Sequence, residues 1–124
     1  MSKIYIPTEE EDQKCLIQYL ELKGIKFSAI PNSTWTPSWA QKNKNKAMGV
    51  RAGLPDMVII FPKTNTLIWL ELKRDGRTES ARGHLSQEQI DWQTALIKCG
   101  QRVFTCYGFD EAKNIVDTFL QLKK

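Results

Sequence analysis

At 124 residues, with 41% hydrophobic and 26% charged side chains, the chain has the make-up of a single globular domain, 1–124, large enough for one core. Its 18 Lys and Arg against 14 Asp and Glu give a net charge of +4 and a pI near 9.0, which fits a polyanionic partner. Three widely spaced cysteines, Cys15, Cys99 and Cys106, form neither a disulfide framework nor a zinc pattern; no apolar stretch reaches membrane-spanning length, and Met1–Pro7 lacks the apolar core of a secretory leader. The expectation is a cytoplasmic protein with reduced, partly buried thiols and no membrane partner.

The first predicted element is a helix capped by Thr8, with Glu11 three residues on completing a capping box. Leu16, Ile17 and Leu20 supply its apolar stripe, and Gly24 ends it. Ile25–Ile30 reads as a short strand. Residues 31–48 show no clear period: Trp35 and Trp39 stand among Ser, Thr and Pro, followed by a basic run with Lys42, Lys44 and Lys46. This stretch reads as a long functional loop.

Two strongly apolar strands come next, Met57–Phe61 and Thr66–Leu70, the second running on into Glu71, Leu72 and Lys73. The short link Pro62–Asn65 predicts an antiparallel hairpin. A polar and basic loop covers Asp75–His84. A second capped helix starts at Ser86, with Gln89 at the capping-box position, and ends near Gly100. Arg102–Tyr107 is the last strand. An amphipathic helix from about Asp110 to Leu122 closes the chain, with Ala112, Ile115, Val116, Phe119 and Leu120 inward.

The charges in the hairpin are what ask for a function. Burying a carboxylate is costly unless it is paired or holds a metal. Alternation puts Glu71 and Lys73 on one face of their strand. With the turn centred near Thr64, Asp56 falls across from the Glu71–Lys73 stretch, and such partners lie roughly 5–8 Å apart. One divalent cation can bridge two carboxylates at that spacing. Mg²⁺ and Mn²⁺ favour such oxygen ligands and keep sites for water and a phosphate oxygen. The plainer alternative is a strand-end Glu71–Lys73 ion pair with Asp56 as a turn residue.

In the first helix four acids compete, Glu9, Glu10, Glu11 and Asp12. Acids in a first turn suit the helix dipole. Glu9 continues the stripe of Gln13, Leu16 and Leu20, which places it first and Glu10 second. Gln89 shares a helix face with Trp92 and Leu96, and its cap to Ser86 could be its whole role. His84 reads as a solvated loop residue.

Pro55-Asp56, a hydrophobic hairpin, and Glu71-Leu72-Lys73 resemble the PD-(D/E)XK signature of restriction-endonuclease-like nucleases. The chain is similar above all to the VRR-NUC branch, the virus-type replication-repair nucleases. There Gly-x-Pro-Asp and Glu-x-Lys are followed by Leu-Ser-x-x-Gln-x-x-Trp, which stands here as Leu85-Ser86-Gln87-Glu88-Gln89-Ile90-Asp91-Trp92. The resemblance runs from about Thr8 to the last helix. It implies an α/β restriction-endonuclease-like fold, a mixed β-sheet of about four strands flanked by helices, and the element order agrees.

It also implies a metal-dependent DNA endonuclease. Asp56, Glu71 and the Leu72 carbonyl would bind Mg²⁺ or Mn²⁺, with Glu9 assisting, and Lys73 would orient or activate the attacking water. Gln89 would help to position water or phosphate. Stand-alone members of this branch look like structure-specific nucleases on branched DNA such as Holliday junctions, many of them phage-encoded, so a bacterial or phage-infected cytoplasm and a homodimer are expected. The alternatives are a restriction-like or nicking nuclease on plain duplex, and a catalytically silent DNA-binding module. Lys42, Lys44, Lys46 and Arg51, with Arg74, Arg77 and Arg82, are the expected phosphate contacts. Trp35 and Trp39 either stack on exposed bases or cover the core.

Overall fold

The computed structural model describes residues 5–31, 38–76 and 83–122. The elements in chain order are α1 (Glu9–Leu22), β1 (Lys26–Ala29), α2 (Trp39–Ala47), β2 (Met57–Phe61), β3 (Thr66–Lys73), α3 (Gln87–Lys98), β4 (Arg102–Tyr107) and α4 (Phe109–Gln121). The sheet is mixed, in the order β1-β2-β3-β4. β1, β2 and β3 pair antiparallel, and β3 pairs parallel with β4. A parallel pair needs a crossover, and α3 supplies it.

Period-two burial sorts the sheet into two faces. Met57, Ile59, Ile68 and Leu70 are 0% exposed, and with Phe61, Leu72 and Cys106 they form the core face. α1 closes on it through Leu16 and Leu20, and α4 through Ala112 and Val116, all 0% exposed. Each buried aliphatic side chain there contributes about 1.5–3 kcal/mol relative to exposure. The other face carries Val58, Ile60, Leu67 and Trp69, which are only half-buried, and then Glu71 and Lys73. α3 lies on that side, where Gln93 Nε2 donates to Thr105 Oγ1 at 3.1 Å.

The capping boxes at Thr8/Glu11 and Ser86/Gln89 are present, and they begin α1 and α3 where the sequence indicates. Three expectations need correction. The supposed loop of residues 31–48 contains a helix, α2. Ser38 Oγ caps it by accepting from the Gln41 N–H at 3.2 Å, and a Gln41–Asn45 side-chain bond at 2.7 Å spans one turn. No residue of α2 is buried, so it has no apolar stripe by which to be read. On α4, Leu120 faces outward at 42% exposure. Cys15 and Cys99 are exposed, and only Cys106 is buried, where burial pushes its thiol up to about 12.

Candidate active site

The hairpin register decides which charges meet. Met57 lies opposite Leu70, and one further step puts Asp56 across from Glu71. Met57 and Leu70 point into the core, so Asp56 and Glu71 share the other face. Beyond Met57 the ladder gives way to a side chain: Asp56 Oδ2 accepts the Leu72 N–H at 2.6 Å. The N–H and C=O of one strand residue point to the same side, so the Leu72 carbonyl is directed toward Asp56 as well.

Glu71 is 2% exposed, and its Oε1 is buried without a hydrogen-bond partner among the described residues. Loss of water pushes its carboxyl up to about 9, reinforced by hydrogen bonding to the Asp56 carboxyl and by the Asp56 charge; Lys73 pulls the other way and Glu9 adds to the rise. The buried Glu71 carboxyl thus cannot ionise cheaply beside Asp56. A fixed cation would remove that conflict.

The first helix resolves its four acids into four tasks. Glu9 Oε1 accepts the Arg74 N–H at 3.2 Å, directly beyond Lys73, so this carboxylate stands at the site. Glu10 pairs with Lys14 at 3.3 Å in solvent. Glu11 is occupied by the capping box and by the Tyr5 hydroxyl. Asp12, 5% exposed, accepts from the Phe109 backbone and so caps α4, whose own N-cap is Gly108. A buried role for Asp12 was not foreseen, because acids in a first turn are already accounted for by the dipole.

Two glycines hold the site together: Gly53, which opens the Gly-x-Pro-Asp segment, and Gly83. Gly53 has φ +103°, and a Cβ there would come within 2.7 Å of the Glu88 carbonyl oxygen and 2.9 Å of the Trp92 ring. Gly53 therefore lets the loop before Asp56 press against the first turns of α3. The Gly-x-Pro-Asp segment and the Ser-x-x-Gln-x-x-Trp helix are two halves of one contact. Gly83 sits where a Cβ would meet Glu9 Oε1 at 3.1 Å and the Lys73 side chain at 3.4 Å.

Gln89 Oε1 accepts the Ser86 N–H at 2.8 Å, the capping role expected of it. Thr105 registers beside Glu71, and Tyr107 beside Lys73, on the same sheet face. Lys42, Lys44 and Lys46 are exposed on α2. Arg51 Nη1 donates to the carbonyls of Lys46 and Val50, at 3.2 and 3.1 Å, and so closes the end of α2. Arg74 is exposed beside the site, and so is His84. Arg77, Arg82 and Trp35 lie outside the described residues.

The sequence profile of the VRR-NUC domain matches residues 18–110. The chain belongs to the VRR-NUC family. Two solved structures are similar to it in fold. One, a VRR_NUC domain protein, superposes with a TM-score of 0.68 at 20% identity, covering 98% of this chain and 94% of that one. The other, described as a VRR_NUC domain, gives 0.61 at 20% identity, covering 90% and 97%. A search of curated proteins finds no significant match. Membership of VRR-NUC implies a nuclease-type function, and with it DNA binding. Among the described residues no helix is long and apolar enough to cross a membrane.

Among the described residues of this VRR-NUC domain, no three His, Cys, Asp or Glu side chains converge as a metal centre. The oxygen atoms on offer are instead those of two carboxylates and a strand carbonyl. That set suits a hard cation which keeps several waters, as Mg²⁺ does. The orphaned, buried Glu71 Oε1 fits the same requirement.

Proposed function

We propose that this VRR-NUC domain is a Mg²⁺- or Mn²⁺-dependent endonuclease that cuts branched DNA. The observation that carries the reading is the buried Glu71 beside the half-buried Asp56, with one Glu71 carboxyl oxygen unpartnered and Lys73 on the same face. Asp56, Glu71 and the Leu72 carbonyl would hold the ion, and Glu9 would support it through water. When bound, such an ion polarises the phosphodiester and lowers the pKa of the attacking water. Lys73 orients that water and offsets charge on the pentavalent transition state. Gln89, with its oxygen committed to Ser86, presents its amide nitrogen to the phosphate.

Helix α2 supports DNA as the substrate and favours a branched form. It carries Lys42, Lys44 and Lys46 and no acidic residue, and Trp39 is 78% exposed beside Lys42. Nine residues with nothing buried make a marginal helix on their own. A polyanion laid along the lysines would stabilise it, and the exposed indole, with the Lys42 ammonium over its ring, suits stacking on a base that is not paired.

Two cuts at a junction call for two sites, and the reading therefore includes a homodimer. The half-buried Val58, Ile60, Leu67 and Trp69, with Ile97 57% exposed, leave apolar surface for a second copy. Cleavage of a four-way junction, a flap, a nicked duplex and a plain duplex under matched conditions tests the proposal. Preference for the branched substrates is expected. Equal or faster cutting of plain duplex would replace it with a restriction-like or nicking activity.

A further inference from the structure

At the end of the sheet away from the carboxylates lies a groove of about 300 Å³. It is bounded by the end of α1, the hairpin turn and the end of α4. Its floor is apolar, made by Ile25, Phe61 and Phe119, with Leu122 at its edge 48% exposed. Phe61 and Phe119 stack at 5.7 Å across that floor. Its rim carries Lys23, Lys26 and Lys63, and no Asp or Glu among the described residues lines it. The acid on the adjoining part of α4, Asp117, is already engaged by Lys113 at 3.0 Å and by the Tyr19 hydroxyl.

We infer that this groove docks an acidic peptide segment of a partner protein, with one bulky apolar side chain seated on the Phe61–Phe119 floor and carboxylates facing Lys23, Lys26 and Lys63. Both halves of the surface contribute to the choice. A nucleic-acid backbone satisfies the lysines but brings nothing to fill an apolar hollow. A neutral apolar segment fills the hollow but leaves the rim ammonium groups of Lys26 and Lys63 without a carboxylate, and Lys23 with only the Tyr19 ring and the nearby Asp117. An acidic segment with an aromatic or branched residue matches both.

Position adds the consequence. Phe61 is five residues along the strand from Asp56, about 17 Å at the usual rise. A segment held there leaves the carboxylate site open, so the domain can hold DNA and the partner together. The inference does not depend on the nuclease reading, since it rests on a different end of the molecule.

The test uses fluorescence anisotropy with an array of eight-residue, fluorescein-labelled peptides of Asp and Glu, each carrying Phe, Trp, Leu or Ile at one central position. The matching all-acidic peptide with Ser at that position is the control. At least one apolar member should bind the full-length protein more tightly than the Ser control. Joint reversal of Lys23→Glu, Lys26→Glu and Lys63→Glu should weaken it at least about tenfold, and Leu122→Ser should weaken it several-fold. All four positions are at the surface, so folding is checked by circular dichroism and should be unchanged. DNA cleavage by these variants should stay at the wild-type level.

Three results would overturn the inference. None of the apolar peptides outbinds the Ser control. Binding survives the triple reversal and is lost instead when Lys42, Lys44 and Lys46 are neutralised, which would mean the peptide only mimics DNA. Sedimentation shows that the groove substitutions dissolve a dimer, which would make a second copy the occupant.

Discussion

Asp56 accepts the Leu72 N–H at 2.6 Å. The bond takes the place of the next rung of the β2–β3 ladder, so the carboxylate is fixed by strand geometry rather than by a flexible loop. It also brings the Asp56 carboxylate to Leu72, the residue between Glu71 and Lys73, with the Leu72 carbonyl on the same side. A catalytic arrangement needs this kind of rigid support, because small misplacements of reacting groups are costly.

Lys73→Ala should abolish cleavage while DNA binding and Mn²⁺ binding stay nearly intact. The loss should be at least about 10²-fold in turnover, the scale of removing one preorganised electrostatic group. Single-turnover assays at saturating DNA check it. Turnover within a few-fold of wild type would remove Lys73 from the chemistry.

The raised Glu71 carboxyl makes metal-free stability depend on pH. In the unfolded chain it titrates near its ordinary value of 4.5, and in the folded chain near 9. Between those values the folded protein holds a proton that the unfolded chain has released. Stability in EDTA should therefore fall as pH rises from about 4.5 to about 9. Glu71→Gln should flatten this slope and raise the melting temperature at pH 8. Parallel slopes for wild type and variant would show that Glu71 is not buried as described.

Asp56→Asn should remove activity and weaken divalent-ion binding, since it deletes one of two carboxylates. It should also raise thermal stability in metal-free buffer by relieving the carboxylate conflict. Calorimetric Mn²⁺ affinity equal to wild type would place the ion elsewhere.

Gly53→Ala tests the seam between the Asp56 loop and α3. The substitution meets both a positive φ and a Cβ at 2.7 Å from the Glu88 carbonyl. A loss of about 1–3 kcal/mol in stability is expected, with cleavage reduced further because Asp56 shifts. Denaturant titration reads the first effect, and unchanged stability would mean that the loop does not press on α3.

Much of this site was legible in the sequence because its parts are local. Hairpin register follows from turn length and alternation, and that alone brings Asp56 opposite Glu71. Capping boxes announced α1 and α3. The first-helix stripe picked Glu9, which does reach the Arg74 N–H beside the site. What stayed hidden was tertiary. Helix α2 buries nothing, so periodicity could not reveal it. Asp12 caps a helix almost a hundred residues away, and no local pattern records that. The Arg51 bond that closes the end of α2 also leaves no local mark, because it depends on helix carbonyls left unsatisfied in the fold.

Neutralising Lys42, Lys44 and Lys46 together should weaken DNA binding and flatten its salt dependence. Each lost phosphate contact lowers the log–log slope by about 0.9 on duplex DNA. Cleavage at saturating DNA should persist, since the carboxylates lie elsewhere. An unchanged slope would mark α2 as a solvated surface and turn attention to Arg74 and the loop after it.

Metal-dependent cleavage at the Asp56–Glu71 pair is the central claim, and one comparison tests it most directly. A labelled four-way junction is incubated with wild type and with Glu71→Gln, each in EDTA, Mg²⁺ and Mn²⁺. The account predicts cutting by the wild type with either metal, none in EDTA, and none by Glu71→Gln under any condition. Cleavage that persists in EDTA, or in Glu71→Gln with metal present, would contradict it.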